Sequence, residues 1–333
     1  VIGAIEARVV TGLYHAARAA RATSHGMRSL LVVIALGGCG SNAATPVEAR
    51  PPAAAPATAS LAPAAEVVVT LAGSANALLW DVASATLYLT DSNTDSLVQW
   101  TDAGGLQPVG NFPPAVAGIS LGGIVKRADG TTLVTSFGFG KEGTVFLMTA
   151  DRTSRALTGL DPVRRRVGLA QDPGGVLYTA YFVGGRGATP IGGVATVAIE
   201  GTAATEIEIA GASTTAGLQK VVGIVATPAA VFIADQSQNT IFKIAVPGHA
   251  VSPLATLPKV DLLMMLPGGD LLTGGGPEIS RITQAGGVTT LPAHGFEQVR
   301  GLAYDPAGKR LFVVDHSATP GRPDRLHLVP LAL

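Results

Sequence analysis

The chain has 333 residues, of which 47% are hydrophobic and only 14% charged, with 42 Gly and 22 Pro. That balance excludes an intrinsically disordered chain, and 23 basic against 23 acidic residues leave no basic block for nucleic acid. A single cysteine, Cys39, excludes an internal disulfide framework.

In chain order, the first legible element is residues 27–39, MRSLLVVIALGGC. A short positive start at Met27 and Arg28 precedes an apolar run from Leu30 to Leu36, too short to span a bilayer. The ending Leu36-Gly37-Gly38-Cys39 resembles the bacterial lipobox. That resemblance implies a lipoprotein signal peptide over 27–38 and a lipid on Cys39, which becomes the first mature residue. The alternative is a buried cysteine in an ordinary apolar segment. Residues 1–26 then read as an upstream start taken too early, or as a long n-region. Residues 39–65 are rich in Ala, Pro and Ser without apolar periodicity, the composition of a tether. Gly40 follows the cysteine where an Asp would signal retention in the inner membrane. The expected location is therefore extracytoplasmic, lipid-anchored, on an outer membrane and facing the periplasm.

From Glu66 the chain repeats itself. LYLTDSNTDSLVQW (Leu87–Trp100) returns as VFIADQSQNTIFKI (Val231–Ile244), matched position for position in residue type. Strands end at Asp91, Ser136, Ala180, Asp235, Gly274 and Asp315, spaced by 45, 44, 55, 39 and 41 residues. Each unit opens alike, at Asn76, Gly122, Val167, Val222, Asp261 and Arg300. Turn cores such as Ala128-Asp129-Gly130, Asp172-Pro173-Gly174-Gly175, Pro267-Gly268-Gly269 and Asp305-Pro306-Ala307-Gly308 predict hairpins with glycine at positive φ. Six units of roughly forty residues and about four strands each predict an all-β, six-bladed β-propeller over 66–333. The last unit supplies three strands, and the lone strand Glu66–Leu71 is expected to complete it and close the ring. Asp91 and Asp235, at strand ends, read as turn caps.

The blade text LLWDVASATLYLTDSNTDSLVQW and IADQSQNTIFKI resembles six-bladed propellers of the gluconolactonase, regucalcin and strictosidine-synthase-like superfamily, with NHL-repeat propellers nearby. In the lactonase branch a divalent metal such as calcium sits on the axis, held by a Glu, an Asn and an Asp that open separate blades. The matching positions here are Asn76, Val222 and Asp261, so the resemblance implies at most Asp261 and Asn76 as metal ligands. Asp261, Arg300 and Asn76 open consecutive blades and are expected to meet at one channel mouth. There Arg300 either recognises an anion or pairs with Asp261.

Three other motifs carry no chemistry. Gly118-Ile119-Ser120-Leu121-Gly122 fits G-x-S-x-G, but a blade strand follows instead of a helix. Gly138–Gly143 fits G-x-G-x-x-G, but TVFLM follows, so it reads as a hairpin turn. Asp315-His316 invites a triad, yet Asp315 already has its place at a strand end. His249, His294, His316 and His327 are scattered without metal spacing. Phe182–Gly193 reads as a glycine-rich insertion in unit three. The functional expectation is a monomeric, lipid-anchored propeller that binds a small molecule or an envelope protein and contacts the membrane through its lipid. The alternatives are a metal-dependent lactone or ester hydrolase and an envelope scaffold.

Overall fold

The computed structural model describes residues 65–331 apart from 114–119, 185–186, 213, 215–216, 293 and 320. The leader at 27–38, Cys39 and the tether up to residue 64 lie outside the described residues. Among those described, the regular elements are β-strands and a single 3-10 turn, Gly138–Gly140. No helix among them is long and apolar enough to cross a membrane.

The first strand, β1 (Glu66–Thr70), stands apart from its sequence neighbours. Blade one follows as β2 (Ala75–Asp81), β3 (Thr86–Asp91), β4 (Ser96–Thr101) and β5 (Gly105–Asn111). Blade two is β6 (Leu121–Lys126), β7 (Thr132–Ser136), β8 (Thr144–Met148) and β9 (Ser154–Ala156). Blade three is β10 (Arg165–Gln171), β11 (Leu177–Val183), β12 (Ile191–Glu200) and β13 (Ala203–Ala210). Blade four is β14 (Val221–Ala226), β15 (Ala230–Asp235), β16 (Thr240–Ala245) and β17 (Val251–Thr256). Blade five has four three-residue strands: β18 (Leu263–Met265), β19 (Leu271–Thr273), β20 (Ser280–Ile282) and β21 (Val288–Thr290). Blade six is β22 (Val299–Asp305), β23 (Arg310–Asp315) and β24 (Arg325–Pro330).

Its fourth strand is β1, which pairs antiparallel with β24, Glu66 opposite Leu328 and Thr70 opposite Arg325. The closing strand expected from the sequence is thus in place. A second clasp lies at the same seam. Arg310 of blade six donates to both oxygens of Asp102 in blade one, at 2.8 and 2.6 Å, and to Asp305 at 2.8 Å. Beside it Trp80 stacks on Phe312 with centroids 5.3 Å apart, and Trp100 meets the same ring edge-on. Bidentate geometry beside aromatic faces makes this clasp stronger than an ordinary surface ion pair.

Successive blades pack face to face through apolar layers. Leu121, Phe146 and Phe112 fill one such layer, and Val231, Ile233 and Ile244 fill another. The innermost strands β2, β6, β10, β14, β18 and β22 contact one another in turn around the axis. Their approach requires small residues: a Cβ on Gly223 would lie 2.5 Å from the Asp261 carbonyl oxygen, and one on Gly168 2.8 Å from that of Val222.

Two local expectations are corrected. Gly130, Gly175 and Gly269 do adopt positive φ, but in the blade-six hairpin Lys309 does so (φ 50°) in place of Gly308. Gly308 instead leaves room for the Asp305 carboxylate, which accepts from its N–H at 3.1 Å. The stretch Phe182–Gly193 is strand at both ends, where Phe182 pairs with Gly192 and Val183 with Ile191, so β11 and β12 are longer than their counterparts and residues 184–190 join them.

Candidate functional site

The six unit-opening residues, Asn76, Gly122, Val167, Val222, Asp261 and Arg300, all line one axial cavity of about 370 Å³. The backbone explains why. In five blades the pairing of the innermost strand shifts register across that residue: between Ala75 and Leu78, Leu121 and Ile124, Arg166 and Gly168, Val221 and Gly223, and Val299 and Leu302. Such irregularities re-aim a side chain, here from the blade interface toward the axis. In blade five Asp261 precedes β18, and its N–H donates to the Thr273 hydroxyl at 3.2 Å. Further along the same strands a second cavity of about 390 Å³ is lined by Leu78, Ile124, Leu169, Ile224 and Met264. Leu262 borders both cavities.

Strand-end carboxylates hold the segments that deliver the mouth residues. Asp235, with no exposed surface, accepts from the N–H groups of Gln219 at 2.6 Å and Lys220 at 3.1 Å. Asp315 accepts from Glu297 at 2.7 Å and Gln298 at 3.0 Å. Asp91 accepts from the Asn93 N–H at 2.9 Å. Asp91 and Asp235 cap the turns that follow them, and Asp235 and Asp315 fix cavity-lining positions, Lys220 and Gln298.

Asn76 spends its polar atoms on the protein. Its amide nitrogen donates to the Ser92 hydroxyl, the Ser120 hydroxyl and the Leu121 carbonyl, each at 2.9 Å. Its Oδ1 accepts from Arg300 Nη1 at 3.1 Å, and the amide orientation is settled because a guanidinium can only donate. Asn76 therefore positions Arg300. The Asp261–Arg300 ion pair weighed from the sequence does not form, and Asp261 has no ion-pair partner among the described residues. Its carboxyl lies deep in the molecule while opening into the cavity. Burial pushes it up to about 6, although the charges of Arg300 and Lys220 oppose that rise.

Three cationic side chains line the cavity: Arg166, Lys220 and Arg300. Arg166 is fully buried and neutralised, donating to both oxygens of Glu206 at 2.9 and 2.8 Å. Lys220 and Arg300 have no carboxylate partner among the described residues, so with Asp261 the cavity carries a net single positive charge. The wall on the side of blades two and three is aromatic. Phe137 meets Phe139 edge-on with centroids 4.8 Å apart, and Phe137 meets Phe182 at 5.6 Å.

The sequence missed Lys220, Phe137, Phe139 and Phe182. A signal existed, because Phe137 and Gln236 each follow a strand-end residue and Lys220 and Gln298 each stand two residues before a unit opening. Three of the four histidines listed above are also less scattered than their numbering suggests. His316 Nδ1 lies 2.8 Å from Asp324, His327 Nε2 lies 3.8 Å from Asp315, and Phe296 packs against both His294 and His327. Among the described residues no group of three or more His, Cys, Asp or Glu is arranged to hold a metal. The Ser120 hydroxyl bonds Asn76, and β6 begins at the next residue, so no nucleophile elbow exists there. Gly118 and Ile119 of that motif lie outside the described residues. Gly138–Gly143 connects β7 to β8 and carries Phe139 at the cavity wall.

The donor set fits a divalent cation poorly. Asn76 Oδ1 already faces a guanidinium, Val222 offers no oxygen, and the one carboxylate stands within reach of two positive charges. Two cations without a carboxylate partner among the described residues are instead groups able to recognise a small anion.

No protein-family model matches the chain, and no curated protein matches it in sequence. Its fold does match solved structures. A gluconolactonase from Xanthomonas campestris superposes with a TM-score of 0.60 at 16% identity, over 79% of this chain and 89% of its own. A calcium-binding protein, regucalcin, from Agrobacterium tumefaciens gives 0.62 at 16% identity, over 82% and 96%. Virginiamycin B lyase from Staphylococcus aureus gives 0.54 at 13% identity, over 80% and 98%. The chain therefore carries, as a divergent sequence, the six-bladed propeller fold of gluconolactonase- and regucalcin-type proteins.

Proposed function

We propose that this protein is a lipid-anchored, extracytoplasmic propeller that binds a small anionic molecule in its axial cavity. The observation that supports the reading is the pair Lys220 and Arg300, both without a carboxylate partner among the described residues, lining one cavity with Asp261. Asn76 holds Arg300 from behind, which leaves the remaining guanidinium N–H groups for a ligand. Arg300→Met is expected to weaken binding of a small carboxylate such as acetate or benzoate by about tenfold or more, with an unchanged melting temperature. Titration followed by ligand-observed NMR measures this, and unaltered affinity would sink the reading.

A second reading is a lactone or ester hydrolase, supported by the names of the structural neighbours, two of which are a gluconolactonase and a calcium-binding regucalcin. The two readings diverge on metal. The anion-binding reading expects calcium to raise the melting temperature little, since an ion stabilises by RT ln(1 + [L]/Kd) and Kd is weak for this donor set. Calorimetry showing one tightly held divalent ion, lost in Asp261→Asn together with lactone hydrolysis, would decide for the enzyme.

The anchor is tested separately, since it rests on MRSLLVVIALGGC alone. Fatty-acid label is expected on the parent protein and absent from Cys39→Ser, which should also leave the membrane fraction. Label that survives the substitution rules the anchor out.

A further inference from the structure

The aromatic wall of the cavity is left unused by anion binding alone. The chain has nine phenylalanines, and three of them, Phe137, Phe139 and Phe182, gather at this one cavity. Phe139 is 52% exposed, unusual for a large apolar side chain on a glycine-flanked turn. Packing does not require it there, because it belongs to none of the apolar layers between blades. Phe137 and Phe182 are likewise absent from those layers. Cations already frame the rings: Lys220 Nζ stands 5.6 Å from the Phe182 centroid, and the Arg165 guanidinium 5.3 Å from that of Phe137. Asn76, Asp261 and Arg300 come from blades one, five and six, so the polar cluster and the aromatic wall are contributed by different parts of the ring.

We infer that the cavity selects a planar aromatic monocarboxylate, its ring against Phe137, Phe139 and Phe182 and its carboxylate on Lys220 and Arg300. This rests on the anion-binding reading above and narrows it to a ligand class. Charge argues for a monoanion. At the polar end Lys220 and Arg300 face the single carboxylate Asp261, so a phosphate dianion would set its second charge against Asp261. Volume argues for a small body: about 370 Å³ holds roughly a dozen waters, enough for one or two fused rings.

The experiment titrates the full chain with benzoate, acetate and benzamide, followed by chemical shifts of the protein and by saturation transfer to the ligand. Benzoate is expected to bind about tenfold or more tighter than acetate, from the ring area removed from water, and tighter than benzamide by a similar factor. Phe139→Ala, an exposed position that folding does not depend on, should remove most of the benzoate advantage and leave acetate unchanged. Phe182→Leu, at a position only 4% exposed, should do the same while keeping most of the apolar side-chain volume. Benzoate and acetate bound equally, with Phe139→Ala silent, would overturn the aromatic selectivity and leave anion binding standing. Benzoate and benzamide bound equally, or no binding by any of the three at millimolar concentration, would overturn both.

Discussion

Arg166→Met is expected to destabilise the propeller by about 3–5 kcal/mol, the range for breaking a buried, hydrogen-bonded charge pair from one side. Arg166 has no exposed surface, and its guanidinium holds three things at once. It donates to both Glu206 oxygens on β13, to the Gly143 carbonyl at 2.7 Å and to the Asp161 carbonyl at 2.8 Å. The bond to Gly143 ties the β7–β8 connection of blade two to blade three. Methionine preserves most of the side-chain volume, so the loss reports charge and hydrogen bonds more than a cavity. It leaves Glu206 with the Asp161 N–H at 3.0 Å and Arg164, whose nearest nitrogen is 3.5 Å away, and strands the Gly143 and Asp161 carbonyls. Adding Glu206→Leu should recover part of the loss, because the uncompensated carboxylate is then gone. Urea denaturation of the two variants measures both steps. A loss under about 1 kcal/mol for Arg166→Met would mean that the buried pair contributes almost nothing net.

Deleting residues 66–71 is expected to cost about 3–6 kcal/mol and to promote aggregation. The deletion removes the pairing of β1 with β24 and the Leu71 N–H bond to the Asp324 carbonyl at 2.9 Å. It also removes Leu71, 4% exposed, from the cluster that includes Phe312 and Leu326. Most of β1 itself is exposed, with only Val68 and Val69 half-buried, so the ladder and Leu71 carry the effect more than the three valines do. The freed edge of β24 would then offer unpaired backbone groups to another chain. Removing 51–64 instead should leave stability unchanged. If the chain lacking 66–71 melts like the parent, the Arg310 and Trp80–Phe312 seam alone is closing the ring.

The parts of this molecule legible in sequence are those set by local pattern repeated six times. Alternating strands and Asp- or Gly-bearing turns fixed the blades. Because the same position opens every unit, Asn76, Gly122, Val167, Val222, Asp261 and Arg300 converge wherever the ring closes. The missing fourth strand of the last unit pointed to β1 for the same reason. What stayed hidden depends on reach across the ring. Arg300 was within range of either Asp261 or Asn76, and only the acceptors gathered at the Asn76 amide nitrogen, which turn its Oδ1 toward the guanidinium, show which one it takes. Arg166 spans from β10 to β13, a contact that no spacing rule describes. The aromatic wall draws Phe137 and Phe139 from one connection and Phe182 from a neighbouring blade's lengthened strand. His294 and His327 meet on Phe296, one from a connection and one from β24, so their numbering carries no period to detect.

The direction of β1 has a practical reading for anyone attaching this protein to something. The innermost strands run away from the cavity that Arg300 lines and toward the one that Leu302 lines. In blade six β22 descends, β23 returns to Asp315 beside the upper mouth, and β24 descends again from Arg325 to Pro330. Running antiparallel to β24, β1 begins at Glu66, opposite Leu328, and climbs to Thr70, opposite Arg325. Entry and exit of the propeller chain therefore share the rim opposite Lys220 and Arg300. A bead, sensor chip or fusion partner joined at either end would leave the upper mouth facing outward, and a cargo domain could be exchanged there without crossing the ligand's path.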